Sequence, residues 1–397
     1  MDTTSKAARP RKGLRILALD MRDSVFTGVL FHARTAGWLV SPSRYFSGGP
    51  EQIAQWWSAD GILIGGQLRL RSAVAQWQAS GIPMVSCSGI GQPSLTKPTV
   101  TLDWHEAGRL AGMHLIERGF RQLAYCYMAK SPWIDGQVAG LRCAAAAGGG
   151  TVHVLDWQRE YHTGGSPYRA SLRRWLGERL KALPKPLGLL VDDDWTALEA
   201  VEACRERDVA VPDQVAVVGI GNNEVFCDNA PVPLSSVNLD YERLGRDAAA
   251  LLDKLMRGRP APKKPILIPP RGVVCRRSSD IMASEHPDVS KALRHMWRHY
   301  RDVNLDVPSI VSVTAMSKTG LNLAFRKYMN RSIGRLLLEI RLKCAQKLMA
   351  TTNLKMRQIA QECGFREFNT LRSVLIRETG MGPRAWRQKN SFAPEAG

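Results

Sequence analysis

The chain has 397 residues, 44% of them hydrophobic, and a formal net charge of +19. That length is enough for two or three domains, and the apolar content excludes a wholly disordered chain. A basic excess suits polyanions, but it also serves membrane surfaces or plain solubility, so its placement matters. Residues 280–397 hold 20 Lys and Arg against 10 Asp and Glu, a net +10. Residues 1–279 hold the other 35 and 26, a net +9 over more than twice the length. Charge is therefore densest toward the C-terminus, as a phosphate-backbone partner would require. The eight Cys are scattered with no CxxC spacing, so neither a disulfide framework nor a zinc ribbon is expected, and no metal or cofactor.

Residues 1–12 carry Lys6, Arg9, Arg11 and Lys12 against Asp2, and read as a disordered basic tail. No apolar run of signal-peptide length occurs there, and no stretch approaches a membrane span. A soluble, cytoplasmic protein is expected, with no membrane partner.

From Leu14 to about Asp280, short apolar runs alternate with helical patterns. The runs are Leu14–Leu19, Gly61–Ile64, Ile82–Ser86, Thr99–Leu102, Leu123–Tyr127, Val152–Leu155, Leu187–Val191, Val215–Ile220 and Ile266–Ile268. Helical segments include His105–Arg118, Tyr168–Ala182, Thr196–Arg207 and Tyr241–Arg257. This alternation gives parallel sheets flanked by helices, and 13–278 is long for a single sheet, so two lobes are expected. Ligands of such sheets bind beyond the carboxyl ends of the strands. If such a ligand is a sugar, it needs carboxylates and amides for its hydroxyls and an aromatic ring for its apolar face. By position the candidates are Asp20, with Arg22 and Phe26, after the first strand; Asp103; Trp133, Asp135 and Gln137 on one loop; Asp193 and Asp194; and Asn222 with Asn223. Asp194 reads equally as the N-cap of the helix beginning near Thr196.

This part resembles the periplasmic-binding-protein-like ligand domain of the LacI family. The resemblance rests on Asp103 with His105–Gly108, on His114–Phe120, on Val211–Ile220, on Leu234–Val237 and on Leu244–Ala249. It implies two lobes joined by three crossovers, the first about 13–120 plus 239–260 and the second about 121–238 plus 261–280. It also implies that Asp194 contacts ligand. Gly221 stands where the family usually has an acidic residue, and Gln137 where many relatives carry a sugar-binding Arg, which leaves the ligand's identity open.

A linker is expected over 279–288, with Pro287 blocking helix continuation, then an amphipathic helix Val289–Arg301. An all-α domain, 289–390, completes the chain. Within it Asp306 can cap a helix whose opening turn suits Pro308, Ala315-Met316 make a turn, and Ser317 caps a second helix. That helix buries Leu321, Ala324 and Phe325 and exposes Lys318, Thr319, Asn322 and Arg326. The plan recurs: Met356–Ala360, a turn at Cys363-Gly364, then a helix from about Glu367 to Arg377. Here the buried set is Phe365, Leu371, Val374 and Leu375, and the exposed set is Arg366, Asn369, Arg372 and Ser373. Two helix-turn-helix units with polar outward faces are shaped for the major groove.

The stretch closely resembles the AraC family of transcription regulators, through Leu348–Leu354, Ile359–Phe365, Arg377–Pro383 and Trp386-Arg387. Leu323 stands where the family often has an Arg, Leu371 where it has an aromatic, and Ser373 where it has an Arg, so the operator sequence stays open. A LacI-type domain followed by an AraC-type unit resembles the XylR-like group of regulators. The resemblance implies a xylose-like or other sugar as effector, operator DNA as partner, a homodimer, and RNA polymerase as a further partner. Lys318, Thr319, Asn322, Asn369 and Arg372 are the candidates for base edges, and Arg326, Arg366 and Arg377 for phosphates.

Enzyme chemistry finds no support. Gly219-Ile220-Gly221 lacks the third glycine of a dinucleotide loop, since Glu224 stands there. His295 and His299 have zinc-ligand spacing, but Met296 replaces the zincin Glu. A transporter's solute-binding protein would share the first domain without needing 289–390. The reading is a ligand-responsive, sequence-specific DNA-binding regulator, with a constitutive regulator bearing a vestigial or non-sugar pocket as the alternative.

Overall fold

Uninterrupted apolar runs become strands buried on both faces. All five residues of Leu187–Val191 and all six of Val215–Ile220 are buried. The computed structural model describes residues 13–42, 59–65, 71–88, 98–160, 168–284 and 286–390, so the tail expected at 1–12 lies outside the described residues. Its strands are β1 (Arg15–Leu19), β2 (Leu39–Pro42), β3 (Gly61–Ile64), β4 (Met84–Ser88), β5 (Thr99–Leu102), β6 (Gln122–Tyr127), β7 (Thr151–Asp156), β8 (Leu187–Val191), β9 (Val215–Ile220), β10 (Ser235–Asn238), β11 (Ile266–Ile268) and β12 (Gly272–Val274). Helices α1 (Asp23–Ala36), α2 (Arg71–Ala79), α3 (Trp104–Glu117), α4 (Ile134–Gly148), α5 (Trp157–Glu160), α6 (Tyr168–Ala182), α7 (Asp194–Glu206), α8 (Glu224–Asn229) and α9 (Tyr241–Met256) lie between them.

The strands form two sheets. The first has the order β11-β5-β4-β3-β1-β2, all parallel. The second has the order β12-β10-β9-β8-β6-β7, parallel except for β12 beside β10. The chain crosses between the sheets after Leu102, Asn238 and Ile268, so the lobes join at three crossovers.

Two lobe boundaries differ from the expectation. Helix α3 belongs to the second lobe, because it packs on α4 and on β8, β10 and β12. The crossover is therefore at Asp103, not near 120. The α3–α4 crossing is close: a Cβ on Gly108 would lie 2.0 Å from the Gln137 carbonyl oxygen, and one on Gly140 would lie 2.0 Å from that of His105. In the other direction, β11 pairs with β5 and so extends the first sheet, which removes 266–268 from the second lobe.

Residues 279–284 of the expected linker are strapped against the second lobe. Ser278, Ser279, Ile281, Ala283 and Ser284 are buried, and the Ala283 N–H donates to the Arg118 carbonyl at 2.7 Å. Pro287 does not block a helix. It sits in the first turn of α10 (Pro287–His299), where a missing N–H costs nothing. Helices α11 (Val307–Ser312), α12 (Lys318–Met329), α13 (Ile333–Thr351), α14 (Met356–Glu362), α15 (Phe368–Thr379) and α16 (Pro383–Asn390) complete the domain. One core gathers α10, α11, α12 and the start of α13; a second gathers the end of α13 with α14 and α15. Trp297 of α10 touches both the ligand-domain core and the first of these.

Candidate nucleic-acid interface and ligand cleft

Each helix-turn-helix unit is fixed by its caps and its buried side. Asp306 accepts from the Ser309 N–H at 2.9 Å, and Ser309 Oγ accepts from the Asp306 N–H at 3.1 Å, a reciprocal capping box. These bonds, chiefly the Ser309 N–H, hold the Asp306 carboxyl below its usual range. Ser317 caps α12 through the Gly320 N–H. Leu321, Ala324 and Phe325 are buried, as are Leu371, Val374 and Leu375. The helices therefore present the faces expected of them. Lys318, Thr319, Arg326, Arg366, Asn369 and Arg372 are all exposed.

Two expected DNA contacts also have partners within the domain. Asn322 is only half-exposed; its Oδ1 accepts from the Ile333 N–H at 3.3 Å and its amide donates to the Lys318 carbonyl at 3.2 Å. It thereby ties α12 to the start of α13. Arg377 Nε lies 2.9 Å from Glu378, a carboxylate that Arg335 also holds, so part of its charge is already met.

The ligand domain has a cavity of about 760 Å³ where the lobes meet, lined among others by Arg22, Asn222, Glu224, Asp240, Tyr241 and Arg271. That is the size of a small-molecule site. With Arg22 and Asn223, Asn222 is a candidate that the structure brings to this wall. Its φ of 52° is left-handed, its N–H donates to Ser236 Oγ at 3.0 Å, and its Oδ1 accepts from Arg276 Nη1 at 2.8 Å. Asp194 lies just behind, 3% exposed. It accepts from Ser236 Oγ at 2.5 Å and from the Asn223 N–H at 2.7 Å, and burial raises its carboxyl above the usual range. It fixes the loop that carries Asn222. The cap of α7 is Asp193, which accepts from the Thr196 N–H, and not Asp194.

Gly221 now has a physical account. Its φ is +127°, and a Cβ there would sit 3.2 Å from Asp194 Oδ2. A carboxylate at that position would be strained and would face a buried acid.

Beyond Arg22, Asn222 and Asn223, the candidates do not line this cavity among the described residues. Asp103 caps α3, accepting from the Glu106 N–H at 2.9 Å. Gln137 is completely buried in the α3–α4 crossing, where its Oε1 accepts from the Tyr125 hydroxyl; this overturns its expected place in the cleft. Trp133 is half-buried with its ring 6.0 Å from that of Trp104. Asp20 is exposed at the end of β1, two residues before the cavity-lining Arg22.

Sequence reasoning passed over several groups. Tyr241 lies under the Arg22 guanidinium at 5.1 Å, and burial pushes its hydroxyl up to about 12. Arg271 pairs with Asp240 at 2.8 Å across a crossover. Asp192, next to the two acids that were named, has its carboxyl pushed up to about 7 by burial and then by Asp193, and its Oδ1 is buried without a partner. Arg276 is the most connected: it reaches Asn222, the Leu234 carbonyl and Asp228. The signal for Arg271 and Arg276 was weak, because β12 between them is only three residues long.

From Arg276 a polar chain runs toward the DNA-binding domain. Ser235 Oγ donates to the Arg276 carbonyl and accepts from the Arg276 N–H, both at 2.8 Å. Ser279 Oγ donates to Ser235 Oγ at 2.7 Å and lies 2.7 Å from His114 Nε2. With its own proton used, Ser279 must accept there, so His114 carries its proton on Nε2. Burial, then the charges of Arg118 and Lys343, holds His114 well below its usual range and therefore neutral. On the far side of the strap, the His286 ring meets Tyr328 at the end of α12 at 5.3 Å.

Among the described residues no cluster of His, Cys, Asp and Glu could hold a metal ion, and no helix is long and apolar enough to cross a membrane.

Comparison with known proteins matches both halves. Residues 113–279 match the periplasmic binding protein-like domain, and residues 310–389 match a helix-turn-helix domain. The xylose operon regulatory protein of Haemophilus influenzae is 31% identical over 236 residues, 59% of this chain and 58% of that one. The protein of the same name from Escherichia coli K12 is 28% identical over 216 residues, 54% and 55% of the two chains. The chain thus spans a little over half the length of these curated relatives. A solved structure described as the xylose-binding transcription activator xylR has a TM-score of 0.63 and 22% identity, over 96% of this chain and 100% of that one. A LacI family regulator from Enterococcus faecium, solved with bound ribose, has a TM-score of 0.52 and 18% identity, over 67% and 98%. At these identities the structural likeness speaks for the fold: two α/β lobes, and in the first case the helical domain after them.

Proposed function

We propose that this chain, homologous to the xylose operon regulatory proteins and built from the same two kinds of domain, is a sugar-responsive, sequence-specific transcription regulator. The observation that carries the reading is one chain in which an interlobe cavity is tied, through Asn222, Arg276, Ser235 and Ser279, to the strap that leads into two helix-turn-helix units. A sugar bound between the lobes competes with Arg276 for Asn222. Loss of that contact shifts the 276–279 turn, and the strap passes the change to α10 and the first unit. The ligand acts only through its difference in affinity for the two arrangements.

On DNA, α12 and α15 enter successive major grooves on one face. Thr319, Lys318, Asn369 and Arg372 reach base edges; an Asn suits adenine and an Arg suits guanine. Arg326, Arg366 and Arg377 meet phosphates. A homodimer presents two such pairs to a repeated operator, and RNA polymerase is the partner through which occupancy alters transcription. Domain limits of 13–278 and 289–390, with the strap between them, are part of the reading.

The test is thermal unfolding of the full chain against pentoses, hexoses and sugar acids. Binding to the folded state raises the melting temperature with ligand concentration. A concentration-dependent rise with one sugar is expected, and Asn222→Ala should abolish it. A flat response across the panel would sink the sugar assignment and favour a regulator whose pocket takes no sugar, a reading to which Gly221 and the buried Gln137 lend weight.

A further inference from the structure

One outward side chain of the first unit is absent from the base-reading set. At about 100° per residue, the buried Leu321, Ala324, Phe325 and Met329 define one side of α12. Leu323 falls directly opposite them, with Thr319 one turn earlier. Leu323 is 61% exposed. A lone exposed leucine is ordinary on a protein surface. This one is different in its setting, since the exposed Thr319, Arg326 and Lys327 surround it at helical spacing. Cations flanking an apolar centre match a groove whose rims are phosphates and whose floor is base edges.

Leucine can neither donate nor accept a hydrogen bond. One feature of the major-groove floor is complementary to it, the 5-methyl group of thymine. The corresponding position of α15 is Ser373, between Asn369 and Ile376, so the second unit keeps a polar group where the first has this methyl-bearing branch.

We propose that Leu323, assisted by the Thr319 methyl, reads a thymine 5-methyl group, so that the half-site under the first unit carries a thymine at one fixed position. This inference rests on the DNA-binding reading above.

The experiment selects duplexes from a randomised pool with the full chain, then replaces each thymine of the selected site by uracil, which pairs alike but lacks the methyl. Uracil at one position should weaken binding about four-fold, the order expected for one methyl lost from an apolar contact. Leu323→Ala should bind the thymine duplex about as weakly as the wild type binds the uracil duplex, and should no longer distinguish the two. Leu323→Met should restore the discrimination. Melting temperatures of both variants close to that of the wild type would show that the fold is kept. A selected site at which no thymine is sensitive, or a sensitivity that Leu323→Ala leaves intact, would overturn the inference and spare the regulator. A lower oligomeric mass for Leu323→Ala with an unchanged uracil profile would assign the leucine to a second copy and overturn it too. A pool that yields no enriched sequence would overturn the regulator reading itself.

Discussion

Leu321, Ala324 and Phe325 of α12 have their counterparts in Leu371, Val374 and Leu375 of α15, and both sets are buried. Both helices end on a left-handed residue, Asn330 at φ 52° and Gly380 at φ 70°. Outward, the likeness stops. Thr319 and Leu323 occupy the centre of one face, Asn369 and Ser373 the centre of the other. The surroundings differ as well. The first unit packs on α10 and meets the ligand-domain strap through Tyr328, whereas α15 is enclosed by α13, α14 and α16. Inward positions are held alike because each must fill the same space between helices. Outward positions have only a partner to satisfy, and they have diverged.

The largest effects should come from the shared frame. Phe325→Ala should cost about 4 kcal/mol and Leu375→Ala about 3 kcal/mol, read by urea unfolding of the helical signal. A tenfold smaller effect at one of them would break the equivalence of the two cores.

Next comes the turn of the second unit, where it meets the end of α10. Gly364 has φ +76°, and a Cβ there would lie 2.1 Å from the Tyr300 carbonyl oxygen. Gly364→Ala should destabilise by about 2 kcal/mol or more through overpacking and strain. On the selected operator it should erase protection of the half-site under α15 while leaving that under α12. Loss of both would show that the units do not read independently.

The faces themselves follow. Asn369→Ala should cost about 1–3 kcal/mol at a single base pair and relax preference there. Arg326→Ala should weaken all sequences alike and reduce the slope of log affinity against log salt by about 0.9. Preference lost at Arg326, or a pure salt effect at Asn369, would exchange the two roles.

The same contrast explains what could be read from the sequence. Helix faces were legible because a 3.6-residue period decides which residues go inward, and the strand runs were legible because both faces of a parallel sheet are apolar. Asn322 escaped because an amide on a helix edge can serve the backbone as well as a base, and spacing cannot tell which. At the cleft this difficulty is general. Asp103, Asp193 and Asn223 all stand at strand ends, where a ligand would meet them, and each is used to cap the helix that follows. Gln137 is drawn into a helix crossing whose close approach rests on two glycines far apart in sequence, Gly108 and Gly140. Arg276 became visible only when β12, too short to register as a pattern, was paired with β10.

The most direct test of the account is a titration of the full chain onto its selected duplex, with and without the sugar that raises its melting temperature. Coupling between cleft and interface predicts affinities that differ by about five-fold or more at saturating sugar, and a difference that vanishes in Arg276→Ala. Equal affinities with and without sugar, in a chain that binds both ligands, would contradict the account.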